Sequence, residues 1–271
     1  MKLIDLSTLL DPQDRDLLPP SLSAAAGVVA PRIEYQRPDE AEGKDRFCAF
    51  FGCTHEDLPD GEGWGSEVLT DMSSHCGTHV DAPMHSGSRC AGQLARTIDQ
   101  IALDELYCPG VVLDLRAMVE PCGAITAAML NEALGAAGVG DIAGHAVLLR
   151  TGQERFRIGE PGFFQYPGMT RESTLHLTGL GAKVLGTDAV GWDRPFPTMA
   201  ADFRRTGDRR YLWDAHKAIT ECEAFIVQQL CNLEALPASG FHVGFFPIKL
   251  ARTSAAPARA VAFLPDLLKT P

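Results

Sequence analysis

The sequence predicts an α/β fold with a mixed sheet and flanking helices. From Gly110 onward, short apolar runs alternate with helical segments that begin at Thr126 and Thr170. The last two apolar runs, 241–250 and 258–264, are close enough along the chain to pair as antiparallel strands. Alternation predicts parallel strands joined through helices, and the closing pair adds antiparallel ones, which together define a mixed sheet.

Each element is predicted from a local pattern. Apolar runs rich in Val, Ile, Leu and Phe, bounded by Gly, Pro or Asp, indicate strands. A Thr before an apolar face of helical period indicates a helix N-terminus. The predicted strands are 3–10, 67–73, 110–115, 145–150, 182–186, 225–229, 241–250 and 258–264, and the predicted helices are 126–138, 170–180 and 213–221. Residues 11–66, rich in Pro, Gly and charge, are expected to form long loops that build a site or an oligomer contact.

We expect a single domain over residues 1–271, because no linker, repeat or low-complexity block divides the chain. The net charge of −11 argues against nucleic-acid and anionic-membrane partners, which require Lys and Arg clusters. The N-terminal residues carry no long apolar run of the signal-peptide type, and no segment reaches the roughly 20 apolar residues of a membrane span. A cytoplasmic location is therefore expected.

One short run, Ser74 to His85, contains the residues that indicate a chemical function. It reads Ser-His-Cys-Gly-Thr-His-Val-Asp-Ala-Pro-Met-His, so that His75, His79, Asp81 and His85 fall within eleven residues. Imidazole nitrogens and carboxylate oxygens are the ligands of borderline divalent cations. The run therefore predicts a metal site.

The spacing favours an extended or loop conformation for this run. All four positions are an even number of residues apart, so on a strand their side chains project to one side. On a helix, by contrast, Asp81 would point roughly 200° away from His79. Gly77 and Pro83 also disfavour a helix interior.

The run resembles the HxGTHxDxPxH signature of the metal-dependent cyclase family. Further segments resemble family blocks in the same order, and the likeness extends from Leu3 to Leu264. They are Thr97–Ile101, Val112–Asp114, Leu149–Gly152, Gly186–Asp188, Asn232–Pro237, Phe246–Lys249 and Ala258–Val261. The resemblance implies a swivelling β/β/α-type fold and a homodimer or homotetramer.

By position, the resemblance implies that His75, His79 and Asp81 are the metal ligands and that His85 is an acid/base near the substrate. His216 matches a later histidine that, in binuclear formamidases of the family, binds a second metal together with the aspartate and a glutamate. The glutamate position falls here on Gln228, a neutral and weaker ligand. We therefore expect one divalent ion, Mn²⁺ or Zn²⁺, with His216 in a supporting or proton-relay role. Glu221 and Glu223 lie nearby in the sequence, but their spacing does not match.

Two imidazoles and one carboxylate leave a cation with positions for water and for a carbonyl oxygen, and such an ion lowers the pKa of water to roughly 7. A histidine such as His85 can then protonate the leaving group. The chemistry predicts hydrolysis of an amide, cyclic amide or lactone. The resemblance, with Gln228 at the glutamate position, implies a metal-dependent hydrolase that opens a small cyclic amide, imide or lactone, as isatin hydrolases do. An arylformamidase acting on N-formylkynurenine is the alternative within the family, and a catalytically lapsed metal-binding protein is the alternative outside enzymes.

The substrate pocket is less clear from the sequence. Aromatic candidates are Trp64, Phe163, Phe164, Tyr166, Trp192 and Phe196, and polar candidates are Arg150, Gln153 and Arg194. No pattern selects among them.

Overall fold

The computed structural model describes residues 1–265, which form two compact units. One unit comprises residues 1–9 and 74–265, and the other is Leu10–Ser73. The strands are β1 (Lys2–Asp5), β2 (Arg32–Gln36), β3 (Ser66–Thr70), β4 (His79–Asp81), β5 (Arg89–Cys90), β6 (Gln93–Leu94), β7 (Tyr107–Asp114), β8 (Ala124–Ile125), β9 (Ala146–Arg150), β10 (Gly168–Met169), β11 (Val184–Thr187), β12 (Phe225–Gln228), β13 (Phe241–Pro247) and β14 (Ala255–Leu264). The α-helices are α1 (Ala26–Val29), α2 (Ala41–Phe51), α3 (Pro83–Ser86), α4 (Ala127–Ala136), α5 (Arg171–Gly179), α6 (Phe196–Thr206) and α7 (Asp214–Lys217). That residues 1–271 form a single domain stays a prediction.

The larger unit is built on a closed ring of seven strands. Their order is β14, β13, β7, β9, β11, β12 and β4, and β4 pairs back with β14. Strands β7, β9, β11 and β12 are mutually parallel, while the other contacts in the ring are antiparallel. Strand β1 adds to β14 as an eighth strand. The mixed sheet with flanking helices, predicted from the sequence, is confirmed.

Two apolar clusters lie on the two sides of this ring. The first fills its interior and includes Val80, Val227 and Val243 from different strands. The second covers the outer side of the parallel strands and joins Ile226 to residues of α4, α5 and α7, among them Ala215. Because side chains alternate along a strand, Val80 in the interior requires that its neighbours on β4 point outward. That alternation puts His79 and Asp81 on the outer face of the ring.

Most predicted elements are present with boundaries shifted by a few residues. Thr126 and Thr170 cap α4 and α5 as expected, and each hydroxyl accepts a backbone N–H three residues on. The predicted helix 213–221 is instead the short α7 followed by a 3₁₀ turn at Ala218–Thr220. Helix α6 was not predicted. Among residues 1–265, no helix is long and apolar enough to cross a membrane.

The prediction that residues 75–85 form an extended or loop segment is confirmed up to Ala82 and wrong from Pro83 onward. Only His79–Asp81 forms a strand, and the residues from Pro83 to Ser86 form helix α3. Pro83 occupies the first turn of α3, where its missing N–H costs nothing and its fixed φ favours the helix. The proline therefore starts a helix here.

The smaller unit has more regular structure than the loops expected for residues 11–66. It contains α1, α2 and the antiparallel pair β2–β3, together with several 3₁₀ turns. Helix α2 ends at Gly52, whose positive φ of 68° suits a glycine in the left-handed region. The ring of Trp64 packs against Phe47, Phe50 and Phe51 at centroid distances of 5.3, 5.5 and 6.0 Å. Trp64 thus belongs to an aromatic cluster of this unit.

Candidate metal centre

The candidate metal centre is built around strand β4, which presents His79 and Asp81 on the outer face of the ring. Each of these residues is only 2% exposed. Strand β4 is held on both sides, since Asp81 is in register with Ile226 of β12 and with Ala255 of β14. The sequence therefore places an imidazole and a carboxylate on a rigid and buried support.

The orientation of His79 leaves one ring nitrogen available. Its Nδ1 lies 2.7 Å from the carbonyl oxygen of Gly77, which can only accept a hydrogen bond. Nδ1 therefore carries a proton, and in the neutral ring Nε2 presents a lone pair. Nε2 is buried and has no hydrogen-bond partner among the described residues. This is the tautomer that a metal-ligating histidine requires.

Asp81 lies at the middle of the cluster. Its Oδ1 is 3.5 Å from Nε2 of His75 and 3.5 Å from Nε2 of His79, and it has no hydrogen-bond donor within residues 1–265. Its Oδ2 accepts a hydrogen bond of 2.7 Å from Nε2 of Gln228 and lies 3.6 Å from Nε2 of His216. One carboxylate oxygen thus faces the Nε2 atoms of two imidazoles and makes no hydrogen bond within the described residues.

His216 reaches the cluster from α7 and is held by Asp193. The Asp193 carboxylate accepts from Nδ1 of His216 and from the backbone N–H groups of Ala215 and His216. Both side chains are buried, with 4% exposure each. Since Nδ1 donates to Asp193, Nε2 of His216 points toward Asp81, and it too has no hydrogen-bond partner in the described chain.

His75 and His85 close the more open side of the cluster. Nε2 of His75 lies 2.9 Å from Nδ1 of His85, and their ring centroids are 4.2 Å apart. Both rings are half-buried. The structure therefore brings together all five site residues predicted from the sequence, including His216, which lies far along the chain.

Burial and charge set the protonation of this cluster. Burial lowers the pKa of His75, and it lowers that of His85 to about 4 despite the nearby Asp81 carboxylate. These imidazoles are therefore neutral at neutral pH. Burial would raise the pKa of Asp81, but charge interaction with His79 and contact with His216 hold it well below its usual range.

His216 shows the opposite behaviour. Burial would lower its pKa, but the Asp193 and Asp81 carboxylates outweigh that effect and raise the pKa to about 9. At 3.6 Å, Nε2 of His216 and Oδ2 of Asp81 are too far apart for a hydrogen bond, so they interact chiefly as charges. Without a metal ion, His216 therefore compensates the charge of Asp81.

The donor set fits a divalent cation. His75, Asp81 and His85 each offer one ligand atom, and these atoms all lie within 4.8 Å of one another. The unpaired atoms Nε2 of His79, Oδ1 of Asp81 and Nε2 of His216 are buried in the same cluster. Buried polar atoms normally have a partner, and a bound cation would supply one. A cation bound here would lie among the ligand atoms of His75, Asp81 and His85, with Nε2 of His79 and of His216 next to Asp81. The assignment of His75, His79 and Asp81 as the ligands stays a prediction.

Gln228 and the two nearby glutamates bear on a second metal ion. The Gln228 side chain is 5% exposed and donates to Asp81, so it occupies a position beside the carboxylate. Glu221 forms an ion pair with Arg171, and Glu223 forms one with Arg96. Because both glutamates are engaged elsewhere, they do not replace the carboxylate missing at position 228.

The suggested substrate-binding residues make other contacts in the structure. Trp192 and Tyr166 are buried, Phe163 and Phe164 pack on each other, and Phe196 is exposed. Arg194 pairs with Asp202. Arg150 and Gln153 line a different cavity of about 460 Å³, whose lining includes none of the five predicted site residues.

Sequence reasoning missed two residues that contact the cluster. Asp193 orients His216, and the ring of Trp213 stacks on His216 with a centroid distance of 4.6 Å. Trp213 lies three residues before His216, so its closeness in sequence was a usable signal. No local pattern indicated Asp193.

A closed mixed barrel that carries buried imidazoles around a carboxylate defines an α/β protein with a candidate catalytic metal site. The chain belongs to the cyclase family: the family model described as a putative cyclase matches residues 4–194. It is 26% identical over 287 residues to the isatin hydrolase of Roseibium aggregatum, covering 98% of this chain and 92% of that protein.

Solved structures support the same fold. The structure of an isatin hydrolase bound to the product analogue thioisatinate matches with a TM-score of 0.69 and 23% identity, covering 97% of this chain and 92% of that one. A potential metal-dependent hydrolase with cyclase activity matches with a TM-score of 0.61 and 19% identity, covering 98% of each chain. The barrel and its flanking helices are therefore those of cyclase-family proteins.

Proposed function

We propose that this protein is a metal-dependent hydrolase that opens a small cyclic amide, imide or lactone, with an isatin-type lactam as the first substrate to test. The observation that carries the proposal is the convergence of unpaired Nε2 of His79, Oδ1 of Asp81 and Nε2 of His216 in one buried cluster. A relative that aligns with nearly the whole chain is an isatin hydrolase, which supports the choice of lactam.

Each residue of the cluster has a part in this proposal. His75, His79 and Asp81 hold one divalent ion, Mn²⁺ or Zn²⁺, since both metals accept nitrogen and oxygen ligands. When bound, the cation supplies a water of lowered pKa and a positive charge for the substrate carbonyl oxygen. Asp193 fixes the tautomer and direction of the His216 imidazole through its Nδ1.

His85 is the proposed proton-transfer residue. It is half-buried at the more open side of the cluster, and its Nδ1 lies 2.9 Å from Nε2 of His75. A ring-opening reaction must move a proton from the attacking water to the leaving nitrogen or oxygen, because that anion departs poorly. An imidazole that is neutral at neutral pH can accept such a proton and return it.

The test compares ring opening and metal content in the same protein samples. Purified protein loaded with Mn²⁺ or Zn²⁺ is assayed with isatin, with a panel of cyclic imides and lactones, and with N-formylkynurenine. Isatin opening that is lost in Asp81→Ala and His79→Ala together with the metal supports the proposal. Ring opening that survives in either variant after chelation contradicts it. Faster release of kynurenine than of any ring-opened product would assign the alternative arylformamidase activity.

The remaining predictions about the protein as a whole also stay proposals. A cytoplasmic location and a homodimer or homotetramer are expected from the sequence and from the family resemblance. Light scattering on the purified protein measures the oligomeric state directly.

A further inference from the structure

Trp213 connects the two histidines of the cluster that lie outside the proposed ligand set. Its ring stacks on His216 with a centroid distance of 4.6 Å and an interplanar angle of 23°. The same ring meets His85 edge to face, with a centroid distance of 5.0 Å and an angle of 89°. His85 and His216 are themselves 5.2 Å apart at 80°. The three rings therefore contact one another pairwise, in geometries that aromatic rings favour.

The backbone of Trp213 is in a conformation that does not suit its side chain. Its φ of +58° and ψ of +40° place it in the left-handed region, which glycine adopts without penalty and bulky residues adopt at a cost. Such conformations persist where the surrounding structure requires them, and they concentrate at functional sites. A large ring at a position that would suit glycine indicates that its contacts with the histidines offset the backbone cost.

Other contacts fasten the segment of His85 to the segment of His216. Nζ of Lys217 donates to the carbonyl oxygen of Ser86 at 2.6 Å, and the same ammonium lies 5.3 Å from the centre of the Trp213 ring. The backbone N–H of Ala91 donates to Thr220 at 2.8 Å. These bonds fix the backbones of the two segments, but none of them limits rotation of the imidazole rings. The Trp213 ring is placed to do so.

We propose that Trp213 is a positioning residue that sets the orientation of the His85 ring and, together with the Asp193 contact, that of the His216 ring for proton transfer. The role rests on the proposed hydrolase function. Proton transfer depends on donor and acceptor distance and direction, and a misplacement of about 1 Å can lower a rate about 100-fold. Removing the ring should therefore affect turnover more than substrate binding or metal content.

The first experiment compares Trp213→Ala, Trp213→Gly and Trp213→Phe in metal-loaded protein. Ala and Gly are expected to lower kcat about 10- to 100-fold, with KM within about threefold of wild type and with unchanged metal content. Trp213→Gly removes the backbone strain at this position, so it is the variant least expected to lose its fold. Trp213→Phe should retain most of the rate because it keeps an aromatic ring. Phe245→Leu is the matched control, because Phe245 is a fully buried aromatic residue of the barrel interior and its loss should lower stability without lowering kcat.

A second experiment measures the contact between the Trp213 and His216 rings without relying on catalysis. In the Trp64→Phe, Trp192→Phe background, Trp213 is the single tryptophan, since the chain has three. Removing the stacked ring with His216→Ala should change the emission intensity of Trp213, and titration with Mn²⁺ should change it in the His216-containing protein.

The outcomes distinguish the two proposals. If wild-type protein opens no lactam, imide or lactone, the proposed function fails, and emission that responds to His216→Ala still supports the placement of Trp213. Emission that is unchanged by His216→Ala overturns the positioning role. So does a kcat of Trp213→Gly equal to that of wild type at equal metal content.

Discussion

Gln228→Glu would place a second carboxylate against Asp81 inside the protein. In the wild type, Nε2 of Gln228 donates to Oδ2 of Asp81 at 2.7 Å, and the two residues are 5% and 2% exposed. The variant loses this donor, so two buried carboxylates face each other at hydrogen-bond distance. Two such groups cannot both ionise without a cation, and one pKa rises strongly. We expect the free energy of unfolding of metal-free protein at pH 8 to fall by about 3–5 kcal/mol, the cost typical of an uncompensated buried charge.

A cation should reverse this effect. With a second carboxylate in place of the amide, Asp81, His216 and residue 228 form a better donor set for a second divalent ion. We therefore expect metal content to rise from one ion per chain in the wild type toward two in Gln228→Glu. The melting temperature of the variant should also depend more strongly on Mn²⁺ or Zn²⁺ than that of the wild type, because binding to the folded state adds stability.

The assay is thermal unfolding at pH 8, with chelator and with added metal, combined with elemental analysis. For a chain of this size, the expected loss corresponds to a decrease of roughly 6–20 °C in the chelated sample. Gln229→Glu is the matched control, since Gln229 is buried next to Gln228 but donates to the carbonyl oxygen of Gly77 at 3.0 Å. The reasoning is refuted if chelated Gln228→Glu is as stable as wild type, or if metal rescues both variants equally.

Three further predictions concern charged and ligating groups. Asp193→Asn should bring the pKa of His216 in metal-free protein down from about 9 toward its ordinary value, because the carboxylate that stabilises the imidazolium loses its charge. An NMR titration of the histidines measures this pKa, and an unchanged value for His216 contradicts the prediction. Glu154→Gln should stabilise the protein at pH 8 by about 2–3 kcal/mol but not at pH 4, because burial and Glu234 raise the pKa of Glu154 from 4.5 to about 7. The folded state holds that proton more tightly than the unfolded chain, so the wild type loses stability as pH rises from about 4.5 to 7; equal unfolding curves for both proteins at pH 8 would exclude the effect. His79→Ala should reduce bound metal and lower kcat at least about 100-fold, whereas retained metal after dialysis would show that His79 is not a ligand.

The sequence was sufficient for the elements whose cause is local. The caps of α4 and α5 follow from a threonine before an apolar helical face, and strand β9 from a continuous apolar run. The histidine run was equally clear, because its imidazole and carboxylate groups are near one another in sequence. Helix α3 was missed because Pro83 was interpreted as a helix breaker, although at the first turn of a helix it is favourable.

The rest of the site depends on tertiary contacts that no local pattern encodes. Asp193 lies in a loop after β11, and its role follows only from the packing of α7 against that loop. Trp213 adopts its left-handed backbone because its surroundings impose it, against its own preference. The closure of the ring through β4 and β14 is likewise a long-range pairing, which alternation of strands and helices does not specify.

The pairing of β4 also bears on the order in which the protein assembles. The three-residue strand that carries His79 and Asp81 is registered by β12 and β14, and the contact between Asp81 and Gln228 spans 147 positions in the sequence. Contacts between such distant segments form slowly, because a long loop must close before they contribute. His79 and Asp81 therefore reach their final places only when the C-terminal strands have docked. Metal uptake during refolding should accordingly be a late event, and it would report completion of the barrel.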